Sequence, residues 1–433
     1  MVLNMRNKKN IEEHILGLEI SPTLKLKYLC NQLKNEGLNI YDLGLGQSPF
    51  PVPNIVVEEL RKYAKEKEYL PVQGLNQLRE AVVKFHKNID KINDVNKDLV
   101  IVGPGLKELV FILQVVFRGE IIIPSPSWVS YVPQSKIVKK PVVHIHTKFS
   151  DRWRISASQL EKVCKTKRHR AKLLILNYPG NPDGISYTEK ELRDIAQVAR
   201  KYNLIILSDE IYGPLNYNGS HISIAKFYPE GTILASGISK WCGAGGWRLG
   251  TLLFPKKLDW LLDAAKVVAS ETYSSASAPI QYAAVKAFEM EQEMQDYLAH
   301  IRRILKLLST EIVQILQSAN ISVHKPKGGF YLFADFTPLQ NALKNLGIKT
   351  GRDLAEKLLK DTGVAVLHGA AFSRPEKELT VRIAFVNFDG GKALEESRKI
   401  PLSEPLPKNF LDLYCGETTE AMKKVKKWVE DIK

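Results

Sequence analysis

Along the middle of the chain, apolar residues come in short β-rich runs that end at once in small and polar residues. EIIIPSP (120–126), KLLILNYP (172–179), LIILSDE (204–210), TILASG (232–237) and RLGTLLF (248–254) are too short for helices and offer apolar side chains to both faces. Strands of this kind are buried on both sides, so the pattern predicts an α/β fold with a mostly parallel sheet between helices. One covering helix is legible between two of these runs: Thr188 and Glu191 have capping-box spacing, and Leu192, Ile195, Ala196 and Ala199 recur on one face. Beyond the sheet, Ile301, Ile304, Leu305, Leu308, Ile312 and Ile315 predict a long helix, and SVHKPKGGFYLFADF (322–336) predicts strand, turn and strand. This begins a separate α+β domain. The charged, proline-bearing stretch from Asp389 to Leu406 predicts an inserted loop before an amphipathic C-terminal helix that turns Met422, Val425, Val429 and Ile432 inward.

A chain of 433 residues exceeds what one core serves, which predicts a large domain and a smaller one. With no repeat or long linker between them, the domains are expected to interleave. No apolar run is long enough to span a bilayer, and the first twenty residues, MVLNMRNKKNIEEHILGLEI, lack the apolar core of an export signal. A cytoplasmic protein with no membrane partner is expected. Cys30, Cys164, Cys242 and Cys415 are scattered without metal-site spacing, so neither disulfides nor a bound metal are expected. The net charge of +15 gathers weakly in KTKRHR (165–170) and KKVKKW (423–428), which are read as solvated basic faces with no nucleic-acid partner.

Ligands of open α/β sheets collect beyond the carboxyl ends of the strands. There stand Gly180-Asn181-Pro182-Asp183-Gly184, Ser208-Asp209-Glu210-Ile211-Tyr212, and Ser236-Gly237-Ile238-Ser239-Lys240. Singly these are an ordinary turn and two solvent-exposed strand ends. In this order, with Arg248 eight residues after Lys240, they form the pattern S-x-x-S-K…R. On these motifs the chain resembles the class I/II aminotransferases of fold type I, the aspartate aminotransferase superfamily. Over nearly its whole length it is similar to the subgroup that includes many bacterial aspartate, aromatic and alanine transferases.

The resemblance implies a large domain with a mostly parallel seven-stranded sheet and a smaller α+β domain built from both chain ends. Expected divisions are an N-terminal arm with part of the small domain (1–48), the large cofactor-binding domain (49–300) and the C-terminal small domain (301–433). It implies pyridoxal 5′-phosphate as cofactor, with Lys240 forming the Schiff base and later carrying the substrate proton. Asp209 is expected opposite the pyridine nitrogen, where a carboxylate keeps that nitrogen protonated. Tyr212 and Asn181 are expected on the 3′ oxygen, and Trp128 on the face of the ring. Arg248, Ser236, Ser239, Gly105 and the backbone N–H groups of Leu106 and Lys107 are expected around the phosphate. Many relatives have a hydroxyl where Leu106 stands. Tyr69 matches a tyrosine that reaches the phosphate in the neighbouring subunit, which implies a homodimer with active sites at the interface. Arg382, with Gly46, Asn181 and Trp128, is expected to hold the substrate, the arginine taking its α-carboxylate.

These roles imply ping-pong transamination from an L-amino acid to a 2-oxo acid, commonly 2-oxoglutarate. The same residues also support elimination, as in cysteine-S-conjugate lyases and aminocyclopropanecarboxylate synthases. A ligand-sensing regulator with an aminotransferase-like domain is the rival from another class, and the forty or so residues before LGLGQSP are too few for its DNA-binding domain. No residue is legible as the reader of the substrate side chain. The N-terminal segment and the segment 271–280 approach that pocket in relatives, and Tyr131 and Tyr273 are candidates there.

Overall fold

Five apolar runs become strands of one seven-stranded sheet in the computed structural model, which describes residues 10–93, 95–166 and 171–432. In chain order the strands are β1 (Tyr41–Asp42), β2 (Val100–Gly103), β3 (Glu120–Ser125), β4 (Val142–His146), β5 (Lys172–Asn177), β6 (Ile205–Asp209), β7 (Thr232–Gly237), β8 (Gly250–Leu253), β9 (Tyr331–Asp335), β10 (Val364–Ala365), β11 (Leu367–His368) and β12 (Thr380–Ala384). The large sheet runs β2-β8-β7-β6-β5-β3-β4. Only β8 opposes its neighbours. It follows β7 without a crossover helix, and that connection brings a strand back antiparallel. Two members of the sheet, β2 and β4, carry weak signals: β2 is four residues long, and β4 is a half-buried edge.

The helix Glu189–Lys201 begins as its sequence predicts. Thr188 N donates to Glu191 Oε2 at 2.7 Å, Glu191 N donates back to Thr188 Oγ1 at 3.3 Å, and Leu192, Ile195, Ala196 and Ala199 are buried. The long helix Gln292–Ser318 buries all six predicted isoleucines and leucines and runs through position 300, joining the large sheet's unit to the second. In that second unit β11, β12 and β9 form an antiparallel sheet, and β1 pairs with β10, so both ends of the chain contribute.

Two expectations are corrected. The first half of 322–336 is not a strand: only Ser322 bridges to Asp335. Pro326 has no N–H to give a ladder, and the next residues are drawn to the Asn181–Gly184 turn, where Lys327 N donates to the Gly184 carbonyl at 2.7 Å. The stretch 389–406 is not simply a loop, because Gly390–Arg398 is a helix. Asp389 caps it, accepting from Lys392 N at 3.0 Å, and Gly390, Ala393, Leu394 and Ser397 face inward with helical spacing under the surface charge.

The C-terminal helix Gly416–Asp431 buries Met422, Val425 and Val429, with Ile432 half-buried at its cap. Of KTKRHR, positions 167–170 lie outside the described residues, as do 1–9 of the N-terminal stretch. All four cysteines are buried free thiols. Among the described residues no helix is long and apolar enough to cross a membrane.

Candidate active site

A cleft of about 590 Å³ opens beyond the carboxyl ends of β5, β6 and β7, closed on the other side by the second unit and by residues 21–24. Lys240, Asp209, Tyr212, Asn181, Arg248, Ser239, Leu106, Lys107, Trp128, Gly46 and Arg382 all line it. The ends of the parallel strands β5 and β6 bring Asn181, Asp209 and Tyr212 together, and the antiparallel small sheet brings Arg382 from the other side.

At the centre, Lys240 Nζ donates to the Gly46 carbonyl at 2.7 Å and lies 5.7 Å from the Tyr212 ring centre. Gly46 has no room for a side chain, since a Cβ there would stand 1.8 Å from the Tyr331 hydroxyl. Asp209 closes β6 and is buried. Loss of water pushes its carboxyl up to about 6, against the opposing pull of Tyr131, whose hydroxyl donates to Oδ2 at 2.5 Å, and of Ile211 N on Oδ1. Asn177 Nδ2 donates to the Asp209 carbonyl, and Asn177 Oδ1 accepts from Asn181 N at 2.8 Å, so the two strand ends hold each other.

The Tyr212 hydroxyl meets that of Tyr331 at 2.9 Å, and burial raises its pKa well above the ordinary tyrosine value. Asn181 turns its Oδ1 to Arg382 Nη1 at 3.1 Å, which leaves its amide N–H groups for a ligand oxygen. Arg382 is buried between the Tyr331 and Phe372 rings, both 4.9 Å away, and also donates to the Gly44 carbonyl. Its Nε has no hydrogen-bond partner among the described residues. Burial lowers its pKa, and the opposing pull of the Tyr331 and Tyr212 phenols and the Asp42 carboxylate does not cancel that loss of water.

At the far end the helix Leu106–Val116 begins at Gly105, with φ of +96°. A Cβ at Gly105 would stand 2.2 Å from Arg248 Nη2, and one at Gly250 would stand 2.2 Å from Leu106 N, so both glycines are needed for backbone and guanidinium to converge. Ser236 Oγ lies nearby in the chain on β7, buried without a partner, and is not part of the cleft wall. Trp128 is half-buried and meets Tyr131 edge-on at 5.2 Å. Tyr69 is 90% exposed and outside the cleft.

The two tyrosines considered for substrate choice have other partners: Tyr131 serves Asp209, and Tyr273 donates to the Val102 carbonyl at 3.0 Å, outside the cleft wall. Tyr331 is the functional candidate that sequence reasoning missed. It shares a face of the small sheet with Arg382 because Arg382 pairs with Phe333 and Ala384 with Tyr331. Alternation in GGFYLF carries the face, while the strand pairing that brings it to Tyr212 is a tertiary matter.

This donor set suits a molecule with a dianion at one end and a basic ring nitrogen at the other. Pyridoxal 5′-phosphate is such a molecule: the glycine cradle and Arg248 suit its phosphate, and the buried carboxyl of Asp209 suits its ring nitrogen.

Comparison with known proteins agrees. The chain is 31% identical to the aspartate aminotransferase of Bacillus sp. (strain YM-2) over 388 residues, covering 87% of this chain and 95% of that one. It is 32% identical to aromatic-amino-acid aminotransferase 2 of Thermococcus litoralis over 361 residues, 80% of this chain and 87% of that one. Its fold matches aspartate aminotransferase from Thermus thermophilus with a TM-score of 0.82 at 23% identity, covering 96% and 99% of the two chains. The family described as aminotransferase class I and II matches residues 37–389, and to that family of pyridoxal-phosphate-dependent enzymes the chain belongs.

Proposed function

We propose that this aminotransferase takes the α-amino group of an L-amino acid and passes it to a second 2-oxo acid, 2-oxoglutarate, in two half-reactions through one cleft. The observation that carries the reading is the gathering of Lys240, Asp209, Arg248 and Arg382 in a single cavity whose only carboxyl among the described residues is Asp209. When bound, the cofactor supplies an aldehyde for the amino group and a ring that draws electrons from the substrate Cα–H bond.

The remaining work falls to the chain. Lys240 would hold the cofactor covalently and, as a free amine, would take up the proton from the substrate Cα. Asp209 holds a proton on the ring nitrogen, and Tyr131 holds Asp209 ionised by donating to it. Tyr212 and the Asn181 amide donate to the 3′ oxygen. Arg248, Ser236, Ser239, Gly105 and the N–H groups of Leu106 and Lys107 hold the phosphate, while Trp128 covers the ring. Arg382 receives the α-carboxylate through the Nε that has no hydrogen-bond partner among the described residues, with Gly46 closing on it. The low dielectric around Arg382 strengthens that bond.

The exposure of Tyr69 supports a homodimer in which this side chain completes the partner's phosphate site. The division into 1–48, 49–300 and 301–433, a cytoplasmic location and the lack of nucleic-acid partners belong to the same proposal. For substrate, relatives named for aspartate and for aromatic amino acids favour a dicarboxylic or aromatic donor. The test is a donor panel in which each amino acid bleaches the cofactor's visible band and 2-oxoglutarate restores it. Release of ammonia and pyruvate in place of a restorable band would contradict transamination in favour of elimination.

A further inference from the structure

Lys107 is the second residue of the helix Leu106–Val116, and its side chain lines the cleft with Arg248 and Lys240. Its ammonium lies 5.3 Å from the centre of the Trp128 ring, close enough for a cation–π attraction that holds the flexible side chain in place. Lys107 is an exposed residue overall, yet partial loss of water, then the Arg248 and Lys240 charges, pull its pKa down. Both charged neighbours that act on it are cations.

Among the described residues the cleft wall contains four cations, Lys107, Lys240, Arg248 and Arg382, against one carboxyl, Asp209. Like charges gathered on a partly dehydrated wall repel unless a ligand brings anions. Two ligand groups are due there: a phosphate dianion from the cofactor and a single carboxylate from the substrate. Arg382 serves the carboxylate and Lys240 the covalent bond, which leaves Arg248 and Lys107 for the two charges of the phosphate. Leu106 contributes only its backbone N–H at that helix start, so the side-chain donor of this turn is the lysine. Lys107 belongs to the helix start where Gly105 and Arg248 converge, which puts it at the phosphate end.

We propose that the Lys107 side chain, beyond its backbone N–H, is a second cationic ligand of the cofactor phosphate, held over the cleft by Trp128 and pairing with Arg248 in charge. The proposal rests on the reading of this cleft as the pyridoxal 5′-phosphate site. The rival occupant for the ammonium is the distal carboxylate of a dicarboxylic substrate.

The test compares wild-type apoprotein with Lys107→Met and Lys107→Arg for affinity toward pyridoxal 5′-phosphate and toward pyridoxal, which has the same aldehyde and ring without the phosphate. Lys107→Met should weaken the phosphate ester about 10-fold or more, the worth of one charge-assisted contact, and leave pyridoxal within about twofold. Lys107→Arg should stay within about threefold for both. The phosphorus-31 resonance of the bound cofactor should be flat between pH 6 and 9 in the wild type and should titrate in Lys107→Met. Unchanged affinity for the phosphate ester in Lys107→Met overturns the proposal, including the case where only the KM of dicarboxylic amino acids rises. An equal loss for both aldehydes overturns it too, as a general disturbance of the site. A wild-type protein that takes up neither aldehyde overturns the site reading itself and the proposal with it.

Discussion

The Tyr131 hydroxyl donates to Asp209 Oδ2 at 2.5 Å, between a helix start beyond β3 and the end of β6. Asp209 is buried, and its carboxyl is already raised to about 6 by loss of water. Tyr131→Phe removes a donor to the charged form, so the midpoint should climb further, by on the order of one pH unit. Carbon-13 NMR of the apoprotein's Asp209 carboxyl measures it, and an unmoved midpoint would contradict this role for Tyr131.

The same burial has a consequence for stability. A carboxyl whose folded pKa lies above its unfolded value binds its proton more tightly in the native state. Its contribution is therefore present below about pH 4 and is lost as pH rises through about 6. In the apoprotein Asp209→Asn should be more stable than the wild type at pH 7.5, by on the order of 2–3 kcal/mol, and the difference should vanish below pH 4. Urea titrations at the two pH values decide the point. Turnover should nonetheless fall by about a thousandfold or more, because an amide cannot hold the ring nitrogen protonated.

Arg382 spends one nitrogen on Asn181 and another on the Gly44 carbonyl. Lysine cannot make both bonds and still meet a carboxylate. Arg382→Lys should lower kcat/KM by about a hundredfold, chiefly through KM, while the affinity for pyridoxal 5′-phosphate stays within about threefold. Steady-state kinetics with a matched cofactor titration would expose a loss of cofactor as the alternative cause.

Arg303 fastens the end of the helix Gly390–Arg398. It donates to the Ser397 carbonyl and to those of Ile400 at 2.7 Å and Pro401 at 3.0 Å, with Nε on Ser397 Oγ at 2.9 Å. Arg303→Met leaves those acceptors without their donor and should cost about 2 kcal/mol of stability with little change in kcat. A thermal unfolding midpoint equal to that of the wild type would show that the anchor contributes nothing.

The placement of Lys240, Asp209, Tyr212 and Arg248 is legible because it is local, while their roles needed the resemblance. Each stands within a few residues of a buried strand, and parallel strands bring their ends together whatever the helices between them contain. Arg382 and Gly46 needed the resemblance, since nothing near them in sequence marks a carboxylate site. Tyr331 escaped notice because its place depends on the pairing of β9 with β12, and the role of Tyr131 is misassigned from sequence because its partner lies 78 residues away. The helix at 390–398 hid under its charges: Gly390, Ala393 and Ser397 hold most of the inward face with small side chains, leaving Leu394 as a lone large apolar residue without a visible period.

The most direct test is to incubate the protein with pyridoxal 5′-phosphate, reduce it with borohydride, digest it and locate the trapped group by mass spectrometry, alongside Lys240→Ala. The account predicts a single phosphopyridoxyl group on Lys240, no trapped group in Lys240→Ala, and no turnover by that variant. A trapped group on another lysine, or full turnover by Lys240→Ala, would contradict it.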